Sequence, residues 1–168
     1  GSFEADRRYI PSRFKPIQTH LTGWITEVIA GNEITLDSLK SPVLNYFNSQ
    51  TDRKFVIGEK SLNISDNIQF KRRVYQTISS TPYVELADGN YTLSAKIKNG
   101  VGFQVLEMYA ESGMKKFSTK IKEQNTAWTT IELKNIQVKG GKVEIGFWAE
   151  GLVESKCQLD DVMLVKKR

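Results

Sequence analysis

The sequence predicts an all-β fold whose antiparallel strands pack as a sandwich. Nearly every apolar segment alternates with a period of two residues and is bounded by Gly, Asn, Asp or Pro, which is typical of half-buried strands. The i, i+3, i+4, i+7 spacing of an amphipathic helix is not sustained over three turns anywhere. No βαβ unit is predicted, so the strands are expected to form sandwich layers and not a parallel sheet.

The clearest strand covers residues 91–98. Its apolar residues at every second position, from Tyr91 to Ile97, face one side, and the polar residues between them face the other. It follows the turn residues 88–90 and is expected to stop at Asn99 and Gly100. The same alternation predicts strands at 24–29, 33–36, 54–57, 61–65, 70–79, 103–110, 116–121, 128–138, 142–149 and 157–165, or about eleven in all. Residues 38–52 show neither period and are predicted to form a long loop with at most one turn of helix.

Length and composition are those of one folded, water-soluble domain over residues 1–168. A chain of 168 residues can bury a core without disulfides, and 39% hydrophobic with 26% charged residues excludes disorder throughout. No apolar run approaches the roughly 18 residues of a membrane span. No signal peptide is visible, but Gly1 and Ser2 resemble a cloning remnant, which leaves export open.

Charge and rare residues exclude several kinds of site. The net charge of +5 is spread over short clusters (Lys71 to Arg73, Lys115 and Lys116, Lys166 to Arg168), which indicates solubility and no nucleic-acid surface. The single Cys157 excludes an internal disulfide, and the single His20 excludes His-pair metal sites. Because Cys157 opens an apolar strand pattern, we expect a buried thiol and no Cys–His dyad.

Several segments carry a family resemblance. They are residues 89–98 (GNYTLSAKIK), Trp128-Thr129, 141–149 (GKVEIGFWA), 159–164 (LDDVML), Phe3-Glu4, Gly23-Trp24, 58–64 (GEKSLNI) and 75–78 (YQTI). Together they resemble a carbohydrate-binding module with a galactose-binding-like jelly roll, a two-sheet antiparallel β-sandwich, over essentially the whole chain. The sequence is similar to modules attached to polysaccharide-degrading enzymes of gut bacteria.

The resemblance implies non-catalytic binding of a plant-type polysaccharide (xylan, glucan, galactan or pectin) for a catalytic domain of the same polypeptide. It also implies an extracellular, periplasmic or cell-surface location, with no nucleic-acid partner. In such jelly rolls, linear glycans usually lie on a concave sheet, here made of strands 70–79, 103–110, 116–121 and 142–149.

Alternation then predicts which side chains of that sheet face outward. They are Glu144, Gly146, Trp148 and Glu150; Val105, Glu107 and Tyr109; Lys116, Ser118 and Lys120; and Arg73, Tyr75 and Thr77. Sugar rings pack on aromatic faces and need polar groups at their rim. The candidate ligand-binding residues are therefore Trp148, Tyr109 and Tyr75 as platforms, with Glu107, Glu144, Glu150, Arg73 and Lys116 around them, and Tyr46 and Phe47 as a possible wall.

Each aromatic candidate also has a purely structural interpretation. Trp148 would be covered by the loop 38–52, and Tyr75 and Tyr109 would be cross-strand packing partners. Trp24 and Trp128 are expected to belong to the core. Exposure of Trp148 and Tyr109 in one groove would favour glycan binding, whereas their burial would favour a structural sandwich that binds no sugar.

The resemblance further implies a structural calcium ion. The matching positions are Glu4, the backbone around Glu59 and Lys60, and Asp160, and hard oxygen ligands suit calcium. The alternative is that Glu4 and the pair Asp160-Asp161 are solvated charges. Catalysis is not expected: among 19 acidic residues, Glu107, Glu144 and Glu150 could form a glycosidase-like pair, but no motif for a nucleophile or catalytic metal accompanies them.

Overall fold

The computed structural model describes residues 23–31, 61–122 and 127–167, and these form strands with no helix. The strands are β1 (Ile25–Ala30), β2 (Leu62–Ser65), β3 (Phe70–Ser79), β4 (Gly89–Ser112), β5 (Lys115–Lys120), β6 (Thr129–Val138) and β7 (Lys142–Lys166). All strand pairs are antiparallel, which confirms the predicted all-β class. The predicted strands 33–36 and 54–57 and the loop 38–52 lie outside the described residues.

The strands form two layers that share β4 and β7. The five-strand layer has the order β1-β3-β7-β4-β5 and uses the first part of β7 with the last part of β4. In the four-strand layer, β2 pairs with the last part of β7, which pairs with the first part of β4, which pairs with β6. The four segments predicted to form the glycan-binding sheet are therefore neighbours in the five-strand layer, with β1 added at its edge.

The predicted ends of four strands were wrong. Segments 91–98 and 103–110 are one strand, β4, and segments 142–149 and 157–165 are one strand, β7. The β4–β7 register shifts three times between Lys98 and Val105, and Gly102 has a φ of 81°. Such bulges bend a strand so that it passes from one layer to the other without ending. Asn99 and Gly100 therefore mark a corner of β4 and not its end.

One hydrophobic core lies between the layers. Val143, Ile145, Phe147 and Ala149 are buried, as their alternation predicts, and they pack with residues of both layers such as Leu93. Trp24 packs against this core, with its ring centroid 6.2 Å from that of Phe147. Trp128 is partly buried, and the ammonium of Lys98 lies 5.9 Å from its ring centroid.

Cys157 belongs to the same core. The thiol is completely buried, and desolvation raises its pKa to about 12. A thiol in this environment is protonated near neutral pH and is a poor nucleophile. The expected buried thiol is confirmed, while His20 lies outside the described residues.

A buried ion pair lies at the start of β3. Arg72 belongs to the basic cluster at residues 71–73, yet it is only 2% exposed. Its Nη2 donates to Oδ2 of Asp66 and its Nη1 to the carbonyl of Ser65, both at 2.7 Å. Desolvation by burial lowers the pKa of Arg72, and the carboxylate of Asp66 opposes that shift. Arg72 occupies an inward position of β3, between Phe70 and Val74, so alternation alone could have placed it in the interior.

Candidate functional site

The outer face of the five-strand layer carries two rows of side chains that run across the strands. One row, from β1 to β5, consists of Glu27, Arg73, Trp148, Glu107 and Lys120. The neighbouring row consists of Ile25, Tyr75, Gly146, Tyr109 and Ser118. Glu144, Glu150 and Lys116 lie on the same face, so the structure brings all eight candidate ligand-binding residues together. Tyr46 and Phe47 lie outside the described residues.

Trp148 lies on β7, near the middle of this face, and is partly exposed. Its indole Nε1 donates a hydrogen bond to Oε1 of Glu150 at 3.0 Å. Oε2 of Glu150 in turn lies 2.8 Å from the ammonium of Lys71. The hydrogen bonds from Lys71 and from Trp148 lower the pKa of Glu150, so its carboxylate is ionised and is a good acceptor for the indole N–H.

Tyr109 points to the same face but is only 1% exposed. Its hydroxyl donates to Oε1 of Glu144 at 2.8 Å, and the ammonium of Lys116 lies 5.0 Å from its ring centroid. A Cβ on Gly146 would lie 2.8 Å from the phenol oxygen, which shows that the ring lies across the backbone of that glycine. The prediction of Tyr109 as an exposed platform was wrong. Because Gly146 has no side chain, the Tyr109 ring packs against the backbone of β7 and is buried.

Arg73 covers the second predicted tyrosine platform. Its guanidinium carbon lies 4.0 Å from the centroid of the Tyr75 ring. The same guanidinium contacts Glu144 at 3.3 Å and Glu27 at 3.7 Å. Tyr75 therefore offers less of its ring than the sequence suggested, and Arg73 is held by carboxylates on both sides. Burial raises the pKa of Tyr109, as does its hydrogen bond to Glu144, so the phenol next to this pair stays neutral.

The charges on the central part of this face are compensated. Lys71 pairs with Glu150, Arg73 with Glu144 and Glu27, and Lys116 with Glu111 at 3.6 Å. Glu27, Glu111 and Lys71 were not among the predicted site residues, although alternation along their strands would have placed them there. The lowered pKa of Glu150 is the opposite of what a general acid needs. The face can donate and accept hydrogen bonds, but it presents little net charge.

The predicted calcium ligands are only partly described. Asp160 is completely buried, and its Oδ1 accepts a hydrogen bond from the backbone N–H of Asp161 at 2.7 Å. Asp161 is also buried and lies 3.6 Å from the ammonium of Lys96, so the alternative that this pair is solvated was wrong. Glu4, Glu59 and Lys60 lie outside the described residues. Within the described ranges, no group of three or more His, Cys, Asp or Glu residues is placed to hold a metal ion.

Solved structures with the same fold include carbohydrate-binding modules. A family 61 module in complex with β-1,4-galactotriose has a TM-score of 0.64 at 20% identity, over 87% of this chain and 92% of that chain. A module of the β-sandwich superfamily has a TM-score of 0.56 at 12% identity, over 93% of this chain and 62% of that chain. The enzymatically active domain of tailspike protein 4 from bacteriophage CBA120 has a TM-score of 0.60 at 13% identity, over 87% of this chain and 20% of that chain.

No protein-family model and no curated protein sequence matches this chain. In the part of the chain that the structure describes, no helix is long and apolar enough to cross a membrane. At identities of 20% and below, the structural likeness concerns the fold. The chain is thus an antiparallel β-sandwich of the type found in carbohydrate-binding modules, as its sequence predicted.

Proposed function

We propose that the outer face of the five-strand layer binds a polysaccharide chain without cleaving it. The observation that carries this proposal is Trp148, which is partly exposed near the middle of the face and donates its indole hydrogen bond to Glu150. An indole ring suits the apolar C–H face of a pyranose. Arg73 and Glu107, its neighbours in the same row, supply a donor and an acceptor for sugar hydroxyls.

The proposed ligand is neutral along its main chain. Since Lys71, Arg73 and Lys116 are each paired with a carboxylate, a polyuronate would meet as much repulsion as attraction on this face. Neutral xylan, glucan and galactan are therefore favoured over pectin. Galactan is the first to test, because the solved family 61 module holds β-1,4-galactotriose.

The proposal extends to the setting of the module. Binding without catalysis is useful when a catalytic domain of the same polypeptide acts on the bound polysaccharide. Such a protein would work outside the cytoplasm, where polysaccharides are met. Affinity electrophoresis through gels that contain galactan, xylan, β-glucan or pectin tests the binding directly, and retardation by no polysaccharide would count against it.

A salt titration tests the neutrality of the main chain. With the main chain of the glycan that binds best, freed of any charged branches, we expect the dissociation constant to change less than about twofold between low salt and 1 M NaCl, where the Debye length is about 3 Å. The reason is that the proposed contact is mainly the stacking of a sugar on the Trp148 ring, which involves no charge pair for salt to screen. Isothermal titration calorimetry at both salt concentrations measures it. A large loss of affinity at 1 M, together with loss on Arg73→Ala, would identify a polyuronate ligand instead.

One observation favours a structural sandwich that binds no sugar. Tyr109 is buried and Tyr75 is covered by Arg73, so two of the three predicted platforms are packing residues. Under that alternative, the face would contact a neighbouring domain. The gel experiment separates the two, because only the glycan-binding module is retarded as an isolated domain.

We also propose a structural calcium ion at Asp160. Its fully buried carboxylate is a hard oxygen donor of the kind that calcium prefers. Glu4 and the backbone around Glu59 and Lys60 would complete the coordination. The ion would stabilise the fold and would not contact the sugar.

Removal of calcium tests this second proposal. A ligand that binds only the folded state at 100 times its dissociation constant adds about 2.7 kcal/mol, so EDTA should lower the melting temperature by about 5 to 10 °C. The variant Asp160→Asn should have a lower melting temperature than the wild type, and EDTA should not lower it further. Differential scanning fluorimetry with calcium, EDTA and excess magnesium measures both effects. A melting curve that EDTA leaves unchanged would show that no such ion is bound.

A further inference from the structure

A cavity of about 310 Å³ lies at one end of the outer face of the five-strand layer. Its walls come from the bulged part of β4 and from the end of β5 and the residues after it, and include Phe103, Val105, Lys120, Ile121 and Lys122. The three register shifts between Lys98 and Val105 fall in the part of β4 that lines this space, and the N–H of Ile121 donates to the carbonyl of Leu106 at 2.8 Å beside it. The volume is at the lower end of the range for small-molecule sites.

The cavity lies beside the proposed sugar platform. Lys120 is in the same cross-strand row as Trp148, two strands away, or about 10 Å at the usual strand spacing. Val105 pairs in the strand register with Glu150, which accepts the hydrogen bond from the indole N–H of Trp148. A glycan whose ring lies on Trp148 could therefore reach the cavity with its next residues or with a branch.

The charge of the cavity differs from that of the rest of the face. Lys120 and Lys122 are both exposed, and none of the lining residues that the structure describes is acidic. Glu107 lies opposite Lys120 in the strand register, but the two form no ion pair, and no other carboxylate among the described residues pairs with either lysine. The central cations, in contrast, are all paired with carboxylates.

We propose that this cavity is a subsite for a uronic acid residue, attached as a branch or terminal unit to the neutral chain that lies on Trp148. Lys120 and Lys122 would receive its carboxylate, and Phe103, Val105 and Ile121 would contact its apolar ring face. The inference rests on the proposed function, which it deepens: the main chain is neutral, and the acidic unit is recognised beside it.

The test uses monosaccharides so that it does not depend on the identity of the main chain. Sodium D-glucuronate and D-glucose are titrated into the ¹⁵N-labelled protein, and the backbone amides of Gly102, Gln104, Lys120 and Lys122 are followed by NMR. We expect D-glucuronate to shift these amides with a dissociation constant roughly tenfold lower than that of D-glucose, as two exposed charge pairs allow. The difference should disappear in 1 M NaCl.

Two controls make the result specific. The double variant Lys120→Ala/Lys122→Ala should lose the preference for glucuronate, whereas Lys115→Ala/Lys139→Ala, with the same change in charge away from the cavity, should keep it. Sodium phosphate at equal ionic strength distinguishes a sugar site from a general anion site. Equal response to glucose and glucuronate, an unchanged preference in the Lys120/Lys122 variant, or an equal response to phosphate would each overturn the inference. Because the signal comes from the cavity amides, a failure here is distinct from a failure of the main-chain site, which is read at Trp148.

Discussion

Replacement of Asp66 by asparagine should destabilise the fold by about 3 to 5 kcal/mol, because Arg72 would remain as a buried charge with no counter-charge. For a domain of this length, that loss lowers the melting temperature by about 10 °C or more. Both side chains are almost completely buried, so solvent cannot compensate for the lost carboxylate. Urea denaturation followed by tryptophan fluorescence measures the effect.

An exposed ion pair provides the matched control for this variant. Glu132 lies 2.9 Å from Lys134 with both side chains exposed, so Glu132→Gln should cost less than about 1 kcal/mol. The double variant Asp66→Asn/Arg72→Met removes the isolated charge and should recover part of the stability. Equal stability of Asp66→Asn and Glu132→Gln would contradict the conclusion that the buried ion pair of Asp66 and Arg72 stabilises the fold.

Replacement of Trp148 by alanine should weaken glycan binding by about 1 to 3 kcal/mol, or roughly 5- to 150-fold in the dissociation constant. The reason is the loss of the central aromatic contact with the sugar ring. The melting temperature should hardly change, because Trp148 faces outward and its partner Glu150 keeps its contact with Lys71. Trp148→Phe should retain part of the affinity, since a smaller ring can still stack.

A second exposed aromatic residue controls for a general loss of surface aromatics. Tyr83 is 95% exposed in the connection between β3 and β4 and does not lie on the outer face of the five-strand layer. Tyr83→Ala should bind glycan as the wild type does. Retention of full affinity by Trp148→Ala would refute the platform, and equal losses in both variants would show that Trp148 has no special role.

The regular parts of this fold could be predicted from local alternation. The bounds of β3 agree with the predicted 70–79, and every second residue of 143–149 is buried as expected. The period-two rule works there because one face of each strand packs on the core and the other meets solvent. The strand corners could not be predicted, since a bulge in β4 depends on its partner β7 and not on nearby residues.

The sequence predicts which side chains lie on the outer face, but it does not predict how exposed each of them is. Alternation places Tyr109 on the correct side of β4, yet its burial depends on Gly146 of β7, which is far away in sequence. Similarly, Arg72 looks like part of a surface cluster in sequence until Asp66 is placed beside it. The cavity beside β4 and β5 has no sequence signal, because its walls combine residues 100–106 with residues 120–122, which only the fold makes neighbours.

The most direct measurement of the central claim is an NMR titration that follows the indole N–H signals of the chain's 3 tryptophans. The oligosaccharide is taken from the polysaccharide that retards the protein most, with β-1,4-galactotriose as the first choice. Trp24 packs on the core and Trp128 lies on the edge of the other layer, so both serve as internal references. Binding on the outer face of the five-strand layer should shift the Trp148 signal in a saturable manner and leave the other two nearly unchanged. Saturable binding that leaves Trp148 unmoved, or that shifts only Trp24 or Trp128, would contradict it.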